Sequence, residues 1–457
     1  MKTPFQTYAE PYFEEAIRQL SSWIQINSIH DEKTIGKKKP YGEGVYQALQ
    51  FIGKLAEKEG FKVDYCDGHA TEITIGSGPL IGVYAHADVV PVAEGWIHPP
   101  FGGVIENEKM YGRGTSDDKG PALAAFYALK LLKDHSLIEG YQVRLVIGGN
   151  EEKGSGCLKY YFHQLKKPYP ESGFTPDGNF PLIYGEKGIA NYEISGKVAW
   201  PSIHEIRAGI VANSVIDEAT AVIDRFDRIE PILRATKLPY SVKHEGKTTT
   251  ITLFGKAAHG SLPQLGVNAG TKLLSVLARI YPFPELVTLA QQYSQFNGKK
   301  LGQYYRSKLL HETTLNVGLI HLIKGKFSLI ANYRYPEIVS FDTVAQGIKA
   351  ITPKLLSFQA LMVSEPLLMQ PDSPMIQTLL KAYQEETGDK KTPMVTIGGG
   401  TYAKEAKNTV AFGSKFPGKE DFIHENDEKI DLEDFTRSIS IYARAMADLG
   451  RMHALKK

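Results

Sequence analysis

Five short stretches of this 457-residue chain carry side chains able to bind a cation or move a proton. His86-Ala87-Asp88 offers an imidazole and, two residues on, a carboxylate, which share a face if the backbone stays extended. Gly112-Arg113-Gly114-Thr115-Ser116-Asp117-Asp118-Lys119-Gly120 is a glycine-rich turn delivering two adjacent carboxylates just before a helix; capping that helix would explain one of them, not the run. Asn150-Glu151-Glu152 sets two acids side by side, which repel unless a cation is near; beside one, they can divide into a metal ligand and a proton carrier. Asp177 follows Pro176 and reads either as a turn aspartate or as a hard oxygen ligand. His424 stands in Phe422-Ile423-His424-Glu425-Asn426-Asp427-Glu428, a loop before the final helix.

Together His86, Asp117, Glu152, Asp177 and His424 form the nitrogen and oxygen donor set that suits zinc or manganese. With one carboxylate bridging, five such residues hold two metals about 3.5–4 Å apart with a water between them, a hydrolytic arrangement. A single-metal reading leaves two of the five unused.

The surrounding pattern says what must position them. Apolar residues at helical spacing predict helices over 12–26 and 46–55. A buried strand over 80–84, a helix over 120–132, a strand over 143–147, a helix over 154–165 and a strand over 182–184 alternate as in an α/β layer with parallel strands. From about residue 188 the pattern shifts to alternating strands at 190–194, 249–254 and 327–333, with helices at 214–225, 269–280 and 343–351. That is an α+β sheet with helices on one face. A helix over 375–386, a strand over 394–397 and a helix over 432–449 return to the first character. The expected architecture is a catalytic α/β domain with a mostly parallel central sheet flanked by helices, interrupted by an inserted α+β lid domain: residues 1–187, then the insert 188–370, then 371–457.

Composition narrows the partners. Fifty-three Lys and Arg against 51 Asp and Glu give a net charge of +2, too little to draw the chain to nucleic acid or an anionic membrane. No apolar run reaches the roughly 20 residues of a membrane span, and the first 20 residues lack the apolar core of a secretory signal. The two cysteines, Cys66 and Cys157, form neither a disulfide framework nor a thiolate metal site, and fit a reducing compartment such as the cytoplasm.

His86-Ala-Asp88-Val89-Val90-Pro91, Gly112-Arg113-Gly114 with Asp117-Asp118-Lys119-Gly120, and Asn150-Glu151-Glu152, in this order and spacing, are similar to the three core signatures of one family. The chain resembles the dinuclear zinc metallopeptidases that include PepV-type dipeptidases, carnosinases, aminoacylases and succinyl-diaminopimelate desuccinylases. The resemblance covers nearly the whole chain and is strongest to the bacterial PepV-type dipeptidases. It implies that His86 and Asp177 bind one metal, Glu152 and His424 the other, and that Asp117 bridges them through a cis peptide to Asp118. Asp88 would orient His86, and Glu151 would be the general base.

The same resemblance makes the insertion a lid. Asn213 in the run 207–215 resembles a substrate-contacting asparagine at the start of a lid helix, and His259 in Gly255-Lys256-Ala257-Ala258-His259-Gly260-Ser261 resembles the donor to the oxyanion. Arg334 in Asn332-Tyr333-Arg334-Tyr335-Pro336 resembles the arginine that grips a substrate carboxylate, a task suited to its planar fork. Gly398-Gly399-Gly400-Thr401 follows a strand, where backbone amides at Gly399, Gly400 and Thr401 could meet the same carboxylate. Arg113 and Lys119 could merely neutralise the acidic cluster, and residues 289–310 match none of the family's signatures.

The implied activity is hydrolysis of unblocked dipeptides, β-Ala-Xaa among them, with N-acyl amino acid deacylation as the alternative. The implied cofactors are two divalent ions, zinc first and manganese or cobalt next. A dipeptide is the expected partner, and a monomer is favoured over a homodimer because a lid this long can supply His259 within one chain.

Overall fold

The computed structural model describes residues 2–420 and 422–455, which divide into two compact units. The first comprises residues 1–184, 369–395 and 401–457; the second comprises 185–368 and 396–400. The borders expected after residues 187 and 370 thus fall after 184 and 368. Residues 396–400 group with the insertion, whereas the sequence pattern put them in the C-terminal part.

In the first unit the sheet runs in the order Lys62–Asp64, Ala70–Gly76, Gln142–Gly148, Leu80–His86, Ser172–Thr175, Thr409–Ala411, then Ile183–Glu186, along which the chain leaves the unit. The four central strands, Gln142–Gly148 through Thr409–Ala411, are parallel, and antiparallel pairings lie at the edges, so the expected α/β sheet is present. Leu80–His86 is buried at every position, as a strand covered on both faces must be, and so reads as a continuous apolar run. The helix Lys119–Asp134 is buried almost all round because it packs on the sheet and on the helices Phe13–Ile24 and Leu432–Ala454.

The register decides where chemistry collects. His86 pairs with Gly148, two residues before Asn150, and Ser172–Thr175 runs parallel beside Leu80–His86 and ends two residues before Asp177. Three strands therefore deliver His86, the Glu151-Glu152 pair and Asp177 from their carboxyl ends, where open α/β sheets place their sites.

The second unit is an eight-stranded, wholly antiparallel sheet with helices Ala269–Ile280, Pro284–Gln292 and Phe341–Ile351, its core built on residues such as Tyr192, Leu273, Phe327, Tyr333 and Ile348. One element differs in kind from the sequence expectation. The helix expected over 214–225 is the strand Glu218–Asp224, in which Ala219, Ala221 and Ile223 are buried and alternate with Thr220 and Val222. Hydrogen-bonded strands on either side complete its pairing, and the period of two overrides the helix-forming alanines. Asn213 consequently lies in a turn before a strand and starts no helix. The helix expected over 154–165 is shorter, an α-turn Gly156–Lys159 continued by a π-turn Tyr160–Gln164. Among the described residues no helix is long and apolar enough to cross a membrane.

Candidate active site

His86 ends its strand fully buried, and its two ring nitrogens are separately engaged. Nδ1 lies 2.9 Å from the backbone carbonyl of Asp88, which fixes that nitrogen as the protonated donor and turns Nε2 toward Asp117 Oδ1, 2.9 Å away. Asp88 does not orient the ring through its carboxylate, which is 3.6 Å from Nδ1 and beyond hydrogen-bond reach. That carboxylate instead accepts the backbone N–H groups of Glu151 at 3.0 Å and Glu152 at 3.1 Å. Asp88 thus shapes the turn carrying the paired acids.

Asp117 sits between two histidines: Oδ1 faces His86, and Oδ2 is 3.0 Å from Nε2 of His424. The His424 ring also lies 3.3 Å from Glu152 Oε1, and Asp177 Oδ2 is 3.9 Å from His86 Nε2. Two triads result, His86-Asp117-Asp177 and Asp117-Glu152-His424, each with its candidate ligand atoms within 4.8 Å of one another and with Asp117 common to both. The peptide between Asp117 and Asp118 is cis. Neither aspartate caps the following helix with its side chain; Asp118 instead accepts the His86 backbone N–H at 3.0 Å.

Electrostatics mark this cluster as a cation site. Burial, reinforced by the negative charges of Asp177, Glu152 and Asp117 against the opposing effect of His86, drives the Glu151 carboxyl well above its ordinary range. Burial and Asp117 likewise push Glu152 up, against the hydrogen bond from His424. Burial opposes charge on the two imidazoles, yet hydrogen bonds to Asp117 and the negative charges of Asp117 with Asp88 or Glu152 outweigh it; His86 is raised well above the usual value and His424 to about 11. Asp117, although buried, is held below the carboxylate range by both histidines. Crowded carboxylates that recruit protons onto histidine fit divalent cations in the protons' place, and the all-nitrogen-and-oxygen donors suit zinc or manganese.

One residue of this site has no visible signature in the sequence. Glu428, 0% exposed, accepts with Oε1 the backbone N–H groups of Gly114, Ser116 and Asp117 at 3.1, 2.9 and 3.1 Å, while Oε2 takes a 2.7 Å bond from Arg113 Nη1. Gly114 occupies the left-handed region there, with φ +91°, which lets its N–H turn toward the carboxylate. Glu428 thereby ties the turn that presents Asp117 to the loop that presents His424. Arg113, stacked over Trp96, is its buried counter-ion, whereas Lys119 donates to the carbonyls of Trp23 and Ile26 and serves the adjoining helix end. Glu428→Gln leaves the Arg113 charge buried without its partner and is expected to destabilise the protein by about 3–5 kcal/mol, read as a lowered denaturant midpoint at unchanged slope. A midpoint within error of wild type would contradict that role.

In the second unit, Arg334 is 4% exposed on the strand Lys326–Tyr335. Its Nε donates to Asn332 Oδ1 at 2.8 Å and its Nη1 to the carbonyl of Gly398, so the glycine run and the arginine are joined. Burial alone lowers Arg334 to about 10, with no carboxylate among the described residues acting to restore it. Asn213 and His259 are also brought together: the Asn213 carbonyl accepts the Gly260 N–H at 2.6 Å, and Ser214 bridges His259. A side chain at residue 260 would press 2.8 Å from that carbonyl, which explains the glycine. His259 is exposed, its Nδ1 2.6 Å from Ser261 Oγ. Gly399 and Gly400 follow Gly398 in this unit; Thr401 falls in the first unit, where its Oγ1 accepts the Ala403 N–H at 3.2 Å and caps the turn Tyr402–Lys404.

At the carboxyl ends of its parallel strands the α/β unit brings together two histidines and four carboxylates, a donor set able to hold metal, and its family makes the chain a metallopeptidase. The chain belongs to the peptidase family M20/M25/M40, whose model matches residues 82–448. It is 35% identical to a Bacillus subtilis protein named "Putative dipeptidase YtjP", over 96% of this chain and 98% of that protein. Its fold is shared with the dipeptidase Dug1p of Saccharomyces cerevisiae (TM-score 0.61, 15% identity, 98% of each chain) and with human carnosine dipeptidase 1 (TM-score 0.60, 14% identity, 98% of each chain).

Proposed function

We propose that the protein is a dipeptidase that hydrolyses unblocked dipeptides at a dinuclear metal centre. The observation that carries this reading is the pair of triads sharing Asp117, with the half-buried acid Glu151 beside them and outside both. The name of the YtjP relative supports the same substrate class. His86 and Asp177 would hold one divalent cation, Glu152 and His424 the other, and Asp117 both, with zinc the first choice and manganese or cobalt the next. Such a pair of cations supplies Lewis acidity to the scissile carbonyl and acidifies the attacking water.

The chain's own groups do the rest. Glu151, its affinity for a proton raised by burial, takes a proton from the water as oxygen bonds to the carbonyl carbon. It then gives that proton to the departing amide nitrogen, so one carboxyl serves both half-reactions. His259, supplied by the same chain so that a monomer suffices, donates to the oxyanion, and Asn213 contacts the substrate beside it. Arg334 and the amides of Gly399, Gly400 and Thr401 bind the C-terminal carboxylate.

The raised histidines set a pH dependence. His424, at about 11 in the metal-free protein, carries a proton at neutral pH, and a metal accepts only neutral imidazole. Metal binding at pH 7.5 is therefore expected to release protons, and affinity to fall as pH is lowered. Calorimetry in buffers of different ionisation enthalpy measures the release directly, and equal heats in all buffers would contradict it.

The functional reading is tested on Ala-Ala, β-Ala-His, N-acetyl-Ala and a tripeptide after chelation and reconstitution with zinc or manganese. Cleavage confined to the free-amine dipeptides is expected. Cleavage of N-acetyl-Ala alone would transfer the assignment to deacylation.

A further inference from the structure

A pocket of roughly 550 Å³ lies wholly within the second unit, a volume in the range that holds a small ligand. Two of its wall residues are bonded to groups given substrate roles above. Ser261 is hydrogen-bonded to His259, and Gly398 takes the bond from Arg334. Another part of the lining comes from the stretch that the family signatures leave unexplained, through Phe296, Lys299 and Tyr304, continued by His311.

Two lysines and one glutamate carry the charge of this lining. Lys187 and Lys299 both reach it, Lys299 lying 4.6 Å over the ring of Tyr304, and His311 adds a third nitrogen base. The single acid, Glu312, has its carboxylate 3.7 Å from Arg306, and it also meets Lys187, whose ammonium donates to the Glu312 backbone carbonyl, so the positive charge offered to a ligand rests chiefly on Lys299. Aromatic and aliphatic surface from Phe296, Tyr304 and Leu310 lines the remainder. A basic pocket with apolar walls suits a side chain with a carbon stem and an anionic end.

We propose that this pocket receives the side chain of the dipeptide's C-terminal residue and selects an acidic one, glutamate or aspartate, over a basic one. The inference rests on the dipeptidase reading, because it is Arg334, with the substrate carboxylate on it, that sets the C-terminal residue beside Gly398. Residues 296–312 then act as the specificity element of the second unit.

The test compares kcat/KM for Ala-Glu, Ala-Gln and Ala-Lys, with Ala-Ala as reference, using metal-reconstituted wild type and the variants Lys299→Glu and Lys299→Gln. Lys299 is exposed, so neither substitution disturbs the core. Wild type is expected to prefer Ala-Glu to Ala-Lys by about fivefold or more, and Lys299→Glu to lower that ratio by about tenfold, as reversal of one exposed charge acts on both substrates in opposite directions. Lys299→Gln should fall between them. A wild-type ratio near one, or a ratio that Lys299→Glu leaves unchanged while Ala-Ala is still cleaved, would overturn this inference and leave the dipeptidase reading standing. No cleavage of any dipeptide by the metal-loaded protein would overturn both.

Discussion

Replacing Glu151 by alanine is expected to lower kcat on Ala-Ala by about 10²–10⁴-fold, the usual contribution of a positioned general acid–base group. The two metals should remain, because Glu151 belongs to neither triad. The backbone that carries it is held independently of its side chain, by the bond from its own N–H to Asp88. Its carboxyl is pushed up by burial and by the charges of Asp177, Glu152 and Asp117, so it holds a proton more tightly than a free carboxyl does. Glu151→Gln, which keeps the shape and removes the basicity, should be impaired to the same degree with little change in KM. Near wild-type turnover in either variant, with both metals bound, would remove Glu151 from the reaction.

Asp117→Ala should have the other large effect, through a different loss. Each oxygen of Asp117 faces a different histidine, so its loss removes a ligand from both positions at once. Affinity for both cations should drop by more than about 100-fold, exceeding the loss typical of residues that only support a ligand, and activity should fall to that of the chelated protein. Metal content after gel filtration reads the first effect, and Ala-Ala hydrolysis the second. Retention of two tightly bound ions by this variant would show that Asp117 does not bridge.

Much of this site was legible in the sequence because its parts are local. His86 ends a continuous apolar run, the Glu151-Glu152 pair follows another, and Asp117 stands in a glycine-rich turn before a helix, each a pattern that the parallel sheet translates directly into position. What escaped depends on contacts between distant segments. Glu428 grips a turn more than 300 residues earlier in the chain, and nothing in its neighbours announces that. The actual task of Asp88 was hidden for the same reason: its carboxylate meets backbone 63 and 64 residues away, while the histidine beside it in sequence is served by its carbonyl. In the insertion, the alanines of residues 218–224 favour a helix by propensity, and only the neighbouring strands settle the period of two that makes Glu218–Asp224 a strand. The grouping of residues 396–400 with the second unit follows from contacts such as Arg334 with Gly398, which no linear pattern reveals.

The most direct test is a titration of chelated protein with zinc, and separately with manganese, following Ala-Ala hydrolysis as metal is added. Activity should be absent at the start and reach its plateau at two equivalents per chain. A plateau at one equivalent, or hydrolysis by the metal-free protein, would contradict a dinuclear dipeptidase.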